Sequence, residues 1–190
     1  VKQSSRLFQY EDKADIINIE PARQKDWLRS DISLVQAKVD NIRFKETKQK
    51  EPQLDIHYTI ESSQYGNKTG KRLFIPVNIF HKGFYSPSNQ GERTQDIQIN
   101  YGYLDIDSLN IRLPEGYEIE SLPKTTDMET KFGKFHSSIT LEEGGNILIV
   151  HRLLFHQGNY PKEDNTDFMD FRKNVATQYA AKIIVKKSGE

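Results

Sequence analysis

The stretch FHSSITLEEGGNILIVHRLLF, Phe135 to Phe155, predicts the centre of the fold. Before its EEGGN segment, Phe135, Ile139 and Leu141 lie on one face of an alternating run, and after it Ile147, Ile149, His151, Leu153 and Phe155 lie on one side. A period of two is typical of strands, whose alternate side chains point to opposite faces. Gly144 and Gly145 tolerate the positive φ angles that a tight turn requires. The stretch therefore predicts a β-hairpin with one apolar face.

Segments upstream of this hairpin show the same alternation and predict further strands. They are LDIHYTI from Leu54, DIQINYGY from Asp96, SLNIRL from Ser108 and YEIES from Tyr117. RLFIPVNIF, Arg72 to Phe80, is apolar on both faces, and Pro76 places it at an edge, a strand end or a bulge because proline donates no ladder hydrogen bond. In the segment IRLPEGYEIESLP, Pro114 and Gly116 predict a corner between two strands.

Downstream of the hairpin, one segment has helical periodicity. Phe168, Phe171, Val175 and Tyr179 recur at spacings of three and four residues, with charged residues between them. This stripe predicts an amphipathic helix over roughly Asn165–Tyr179, and AKIIVKK after it predicts a last strand. We therefore predict an all-β fold class, a mostly antiparallel β-sandwich with one C-terminal amphipathic helix.

The first third of the chain has a less regular pattern. RLFQY and DIINIE are consistent with a short hairpin, and PARQKDWLRSD is consistent with a short helix from Pro21. ISLVQAKV and IRF indicate a strand with a bulge near Asp40 and Asn41. We predict two regions: residues 1–31, an N-terminal segment that could be the end of a preceding domain, and residues 32–190, the β-sandwich domain.

Composition argues against several classes of function. Lys plus Arg number 27 and Asp plus Glu number 27, so the formal net charge is zero and no basic excess favours nucleic acid. The chain has no cysteine, which excludes disulfides, thiolate nucleophiles and cysteine-ligated zinc. Its apolar runs are far shorter than the ~20 residues of a membrane span, and no signal peptide is visible. We expect no nucleic-acid partner and no membrane span in this fragment.

Reactive side chains form no recognisable catalytic or metal-binding pattern. GNKTGKR, Gly66 to Arg72, has three residues between its glycines where a phosphate-binding loop requires four, so we interpret it as a basic hairpin turn. His151 and His156 point to opposite faces of a predicted strand and cannot share a metal ion. We predict no catalytic residue, no cofactor and no metal. A carboxylate pair that converges in space leaves no sequence signature, so a carboxylate-based hydrolase stays the last alternative.

The segment HKGFYSPSNQGERT, His81 to Thr94, is the best candidate for a contact with a ligand or with another domain. It is long for a connection between strands, and long connections are often functional. Phe84 and Tyr85 could stack on a ligand, or they could fold back as a lid over one end of the sandwich. Arg93 could bind an anion or a loop carbonyl.

Five segments of the chain match a known family in their order and spacing. They are RLFIPVNIF, GERTQDIQINYGYLDIDSLNIRLPEGYEIESLPK, TKFGKFHSSI, ILIVHRLLFHQGNYP and DFMDFRKNV. Over about Arg72 to Lys187, they resemble the C-terminal β-rich module of bacterial transglutaminase-like proteins, a domain of unknown function. The resemblance implies a papain-like transglutaminase core upstream, which carries the catalytic residues, and a periplasmic or cell-envelope location.

The resemblance implies that this chain alone is not an enzyme. It implies a non-catalytic accessory module that orients or regulates the upstream transglutaminase-like domain of the same polypeptide. The alternative is a glycan- or peptide-binding module that uses the His81–Thr94 segment or a sheet face.

Overall fold

The computed structural model describes residues 1–6, 8–80, 84 and 93–188, and these residues form two compact units. The first unit takes in the described residues of Val1–Tyr65 and Ile79–Gly83, and the second takes in those of Gly66–Asn78 and Phe84–Glu190. The chain therefore leaves the first unit, returns to it briefly and leaves it again. The predicted boundary between residues 31 and 32 lies inside the first unit, because Leu28 and Ile32 belong to the same buried cluster.

The first unit is a three-stranded antiparallel sheet with two helices. Its sheet order is β1-β3-β2, and its core holds Leu28 from the second helix with Leu54 and Ile56 from the sheet. The elements in chain order are β1 (Lys2–Arg6), α1 (Phe8–Ala14), a 3-10 turn (Asp15–Asn18), α2 (Pro21–Ser30), β2 (Lys38–Thr47) and β3 (Gln53–Glu61).

The strand predicted at LDIHYTI is confirmed as β3, but the strand predicted at ISLVQAKV begins only at Lys38. Two further predictions for this unit are confirmed and one is wrong. Helix α2 begins at Pro21 as predicted, and the register of β2 against β3 shifts between Asp40 and Arg43, with Asn41 at a φ of 56°. The hairpin predicted for RLFQY and DIINIE does not form, because α1 and the 3-10 turn occupy most of that segment. Short apolar runs suit a strand or a helix equally well, and burial of Ile16 in the core selects the helical form here.

Asp55 is a charged side chain buried in the first unit. Its alternation with Leu54 and Ile56 predicts a solvent-facing side chain, yet Asp55 is buried opposite Ser4 of the neighbouring strand β1. Hydrogen bonds from Ser4 Oγ and then from Gln53 Nε2 (2.7 Å) hold the pKa of the Asp55 carboxyl below its ordinary value, although burial alone would raise it. The buried carboxylate therefore ties β1 to β3.

The second unit contains three antiparallel sheets and one long helix. The sheet orders are β7-β11-β10-β9, β4-β5-β13-β8 and β12-β6. The elements are β4 (Asn67–Thr69), β5 (Arg72–Pro76), β6 (Ile97–Ile99), β7 (Tyr103–Arg112), β8 (Tyr117–Ser121), β9 (Thr126–Thr130), β10 (Gly133–Leu141), β11 (Asn146–Phe155), β12 (Gly158–Tyr160), α3 (Asn165–Tyr179) and β13 (Lys182–Lys187), with 3-10 turns at Glu143–Gly145 and Lys162–Asp164.

The hairpin at the centre of the prediction is confirmed. Strands β10 and β11 pair without a break from Gly133 opposite Phe155 to Leu141 opposite Ile147. The corner between β7 and β8 is confirmed as well, with Gly116 at a φ of 75°, and the chain passes there from one sheet to another. Pro76 is the last residue of β5, where it needs to donate no ladder hydrogen bond.

Helix α3 spans the predicted residues and packs on the sheet β7-β11-β10-β9. Its buried residues are Phe171, Val175, Ala176 and Tyr179, and Phe171 meets the ring of Phe155 at a centroid distance of 5.5 Å. Among the described residues, no helix has the length and apolar character needed to cross a bilayer.

The predicted fold class needs a correction. The structure is 48% strand and 24% helix, so it is mostly β but not strictly all-β. Two of its three helices, α1 and α2, lie in the first unit, where the sheet has only three strands and helices supply much of the remaining core. One C-terminal helix was predicted because only α3 carries a long, regular apolar stripe.

Truncating Phe171 should destabilise the second unit. Its side chain is 3% exposed, so Phe171→Ala should lower the free energy of unfolding by ~3–5 kcal/mol. Urea denaturation followed by far-ultraviolet circular dichroism measures the change. Lys173→Ala, at an exposed position of the same helix, is the matched control and should change stability by less than ~0.5 kcal/mol. Equal midpoints for both variants would show that α3 does not pack through Phe171.

Acid should weaken the first unit through Asp55. Because the pKa of Asp55 is lower in the folded chain than in the unfolded chain, its stabilisation is fully present above the unfolded value of about 3.9 and is lost as pH falls through the folded value. Asp55→Asn should lower the thermal midpoint at pH 7, and the difference from the wild type should shrink below about pH 4. Glu51→Gln, an exposed carboxylate before β3, is the control. A difference that is independent of pH would contradict this role.

Candidate functional site

Phe84 and Arg93 are the predicted contact residues whose positions the structure describes, and Tyr85 lies outside the described residues. Phe84 is half-buried against the core of the second unit. Its ring meets the ring of Tyr179 edge-on at 5.4 Å between centroids, and Arg172 Cζ lies 5.8 Å from the Phe84 centroid. Loss of the Phe84 ring would therefore remove contacts with α3.

Arg93 lies on the surface and binds carbonyl groups of its own segment. Its Nε donates to the carbonyl oxygen of Gln95 at 2.8 Å, and its Nη2 donates to that of Asp96 at 3.3 Å. These two bonds hold the backbone in place just before β6.

His151 is at the centre of a buried polar cluster that the sequence analysis did not predict. Its ring is 1% exposed, its Nε2 lies 3.2 Å from the carbonyl oxygen of Val77, and its centroid lies 5.3 Å from that of Tyr179. Asp107 on β7 faces His151 directly in the strand register. Burial, and then the nearby carboxylates of Asp107 and Asp105, raise the pKa of the Tyr179 phenol above its ordinary value.

The cluster of His151, Tyr179, Asp105 and Asp107 is suited to stabilising the core. General acid–base chemistry requires the reacting group to reach a substrate, and a histidine with 1% exposure is closed to one. The signal that could have found the cluster is the even spacing of Tyr103, Asp105, Asp107, Leu109 and Ile111, which puts two carboxylates on the apolar face of β7.

The other described histidines have separate surroundings. His136 Nδ1 pairs with Asp127 Oδ1 at 2.7 Å, His156 Nδ1 lies 3.2 Å from the carbonyl oxygen of Lys131, and His57 is exposed on β3. Within the described residues, no group of three or more histidine, aspartate or glutamate side chains is arranged to hold a metal ion.

A cleft lies between β9 and α3. Its floor includes the rings of Phe132 and Phe171, which are almost fully buried. Asp167 and Asp170 of α3 line the cleft on one side, and residues 127–131 of β9 and the turn after it line it on the other.

The sheet β7-β11-β10-β9 also has an outer face, opposite the face that α3 covers. The outer face consists of the even-numbered residues of β7, β10 and β11 and the odd-numbered residues of β9. The strand register places its side chains in rows across the sheet. The rows are Leu104, Leu154, Lys134 and Glu129; Ile106, Arg152, His136 and Asp127; Ser108, Val150 and Ser138; and Asn110, Leu148 and Thr140.

Polarity changes across this outer face. On β10 and β9 the side chains of this face are charged or polar, and we call these the polar half. Within it, Lys134 Nζ pairs with Glu129 Oε1 at 2.6 Å. On β7 and β11 five of the ten side chains of this face are aliphatic, and we call these five the aliphatic half: Leu104, Ile106, Leu148, Val150 and Leu154. Leu104 and Ile106 are 51% and 52% exposed, on a strand at the edge of its sheet.

The aliphatic half was not predicted, although the sequence carries a signal for it. In YLDIDSLNIR the aliphatic residues Leu104 and Ile106 have even numbers, whereas Leu109 and Ile111 have odd numbers. The register of β7 against β11 is continuous, so this change of parity is not absorbed by a bulge. Apolar side chains therefore occupy both faces of β7.

The comparisons with known proteins identify one relationship. The family model described as "Domain of Unknown Function with solved-structure structure (DUF3858)" matches residues 71–185. This range coincides with the part of the chain that resembles a domain of unknown function, and the further link to transglutaminase-like proteins stays a prediction. No curated protein and no solved structure matches the chain.

Removing the Phe84 ring should cost stability. Because the ring is half-buried against Tyr179, Phe84→Ala should lower the free energy of unfolding by ~1.5–2.5 kcal/mol, about half the value for a fully buried phenylalanine. Urea denaturation measures the loss. Leu141→Ala, at an exposed aliphatic residue, is the control and should leave the midpoint nearly unchanged. A Phe84→Ala midpoint equal to that of the wild type would show that the ring adds nothing to the core.

Proposed function

The chain belongs to the DUF3858 family, a domain of unknown function, and we propose that it acts as a non-catalytic accessory module. It orients or regulates a transglutaminase-like domain that precedes it in the same polypeptide, in the periplasm or cell envelope. The resemblance in the sequence supports the identity of this partner, and the aliphatic half of the outer face supports docking.

The exposure of the aliphatic half is the observation that carries the proposal. Leu104 and Leu154 face each other on two neighbouring strands and Ile106 follows Leu104 on the same face, whereas Val150 and Leu148 lie beyond Arg152 on β11, opposite Ser108 and Asn110. The two aliphatic residues of the edge strand, Leu104 and Ile106, are about half exposed. Single exposed aliphatic residues are normal on protein surfaces, but contiguous groups mark contact surfaces. Covering them removes apolar area from water, at roughly 25 cal/mol per Å².

A partner within the same polypeptide suits a surface of this size. Interfaces between domains of one chain are smaller and more polar than those of permanent complexes. A covalent link also raises the effective concentration of the two domains to the millimolar range, so a weak contact is enough to hold them together. A patch of five aliphatic residues beside a polar half fits this description.

A glycan- or peptide-binding module is the second candidate function, and the cleft between β9 and α3 is the observation that favours it. Sugar rings stack on exposed aromatic faces, and peptides anchor in open apolar pockets. In this cleft Phe132 and Phe171 are 0% and 3% exposed, so neither ring offers a face to a ligand. The aliphatic half therefore supports docking better than the cleft supports ligand binding.

Polar substitutions in the aliphatic half should weaken docking. The double variant Leu104→Ser, Ile106→Ser loses ~1 kcal/mol of apolar burial at each site, so it should bind the separately expressed upstream domain about 30-fold more weakly than the wild type. Isothermal titration calorimetry measures the affinity, and circular dichroism checks that the variant is folded.

Leu141→Ser is the matched control, because Leu141 is 54% exposed but lies outside the outer face. It should bind like the wild type. Undiminished binding by the double variant would refute docking through the aliphatic half. Saturable binding of a glycan or peptide panel, lost on substitution of Asp167 and Asp170, would favour the second candidate.

A further inference from the structure

Arg152 is the charged residue among the aliphatic side chains of the outer face. Val150 and Leu154 flank it along β11, because residues two apart on a strand share a face. Ile106 lies directly opposite it on β7, and His136 lies opposite it on β10. Arg152 therefore lies where the aliphatic half meets the polar half.

The guanidinium of Arg152 has no anionic partner in this part of the protein. Arg152 is exposed, and within the described residues no ion pair or side-chain hydrogen bond involves it. The nearest carboxylate in its row, Asp127, is two strands away, about 10 Å across the sheet. Asp127 is moreover engaged with His136 Nδ1 at 2.7 Å.

Unlike Arg152, the basic side chains of the polar half each have an acidic partner. Lys134 pairs with Glu129, and His136 pairs with Asp127, so both basic groups of β10 have an acidic partner on β9. Arg112, at the end of β7, is the other exposed arginine of the outer face and likewise has no ion pair among the described residues. The aliphatic half and its border thus carry unbalanced positive charge.

A partner seated on the aliphatic half would take Arg152 partly out of water. Burial of an unpaired charge is costly, and truncating one member of a desolvated charge pair commonly weakens binding severely. A carboxylate matches the fork of a guanidinium through two parallel hydrogen bonds, which an ammonium cannot imitate. Arginine is accordingly enriched among the residues that dominate interface affinity.

We infer that the partner surface is an aliphatic patch with a carboxylate at its border, and that Arg152 binds this carboxylate in a bidentate ion pair. The inference rests on the proposed function and deepens it, since the same face of the upstream domain would supply both features. Leu104 and Ile106 then contribute apolar burial, and Arg152 fixes the orientation of the two domains.

Substitutions at Arg152 test the inference with the full 190-residue chain and the separately expressed upstream domain. Arg152→Gln should weaken binding about ten-fold or more, and Arg152→Lys should lose less because it keeps the charge but not the fork. Lys173→Gln, which removes a positive charge from the exposed side of α3, is the matched control and should bind like the wild type.

Ionic strength provides a second readout that a merely structural role would not change. Raising sodium chloride from about 0.05 M to about 0.5 M should weaken binding of the wild type and of the Leu104→Ser, Ile106→Ser variant, because salt screens a partly exposed ion pair. It should have little effect on binding of Arg152→Gln. Equal salt dependence of wild type and Arg152→Gln would overturn the inference.

The outcomes separate this inference from the proposed function. Binding that is lost in the Leu104 and Ile106 variant but intact in Arg152→Gln would overturn the ion pair and leave docking standing. Binding intact in all variants, or absent in the wild type, would overturn both. A second copy of this chain is the competing occupant. A concentration-dependent dimer in sedimentation, weakened by Arg152→Gln, would overturn the assignment to the upstream domain.

Discussion

The pairing register of β10 with β11 is the constraint on which the second unit depends. A strand that slips by one residue turns every side chain to the opposite face, so this register decides which residues meet α3 and which form the outer face. Gly133 fixes one end of the ladder, because a Cβ at this position would lie 2.0 Å from the carbonyl oxygen of Leu154. Phe135, His151 and Leu153 reach the core only in this register, and Arg152 and Leu154 reach the outer face for the same reason.

Much of the fold could be predicted because several of its elements have a regular apolar periodicity. The β10–β11 hairpin and α3 each carry a regular apolar pattern over many residues, and the structure confirms both. The segment before Pro21 has runs too short to separate helix from strand, and its contacts with β2 and β3 decide the outcome. Burial of Asp55 depends on Ser4, 51 positions away in the chain, which no local pattern can indicate.

The candidate site was harder to predict than the fold, for a physical reason. Length and aromatic content predict a contact surface in the connection between residues 81 and 94, where Phe84 packs against Tyr179. The surface that best supports docking belongs instead to a regular strand, β7, which has aliphatic residues on both faces. Apolar residues on both faces of a strand are typical of a strand that is covered on both sides. The sequence pattern alone does not distinguish such a strand from one with an exposed apolar face. Only the exposure of Leu104 and Ile106 in the folded chain separates the two cases.

The path of the chain between the two units limits how the protein can be dissected. Residues 79 and 80 belong to the first unit, although strands of the second unit lie before and after them. Ile79 is buried and its carbonyl oxygen accepts a hydrogen bond from the Ser33 amide at 2.8 Å. A recombinant fragment trimmed to residues 71–185, the extent of the family match, would carry Ile79 without that partner and would also lack β4. Expression vectors for the isolated module should therefore keep the first unit or replace Ile79 and Phe80 with a short polar linker.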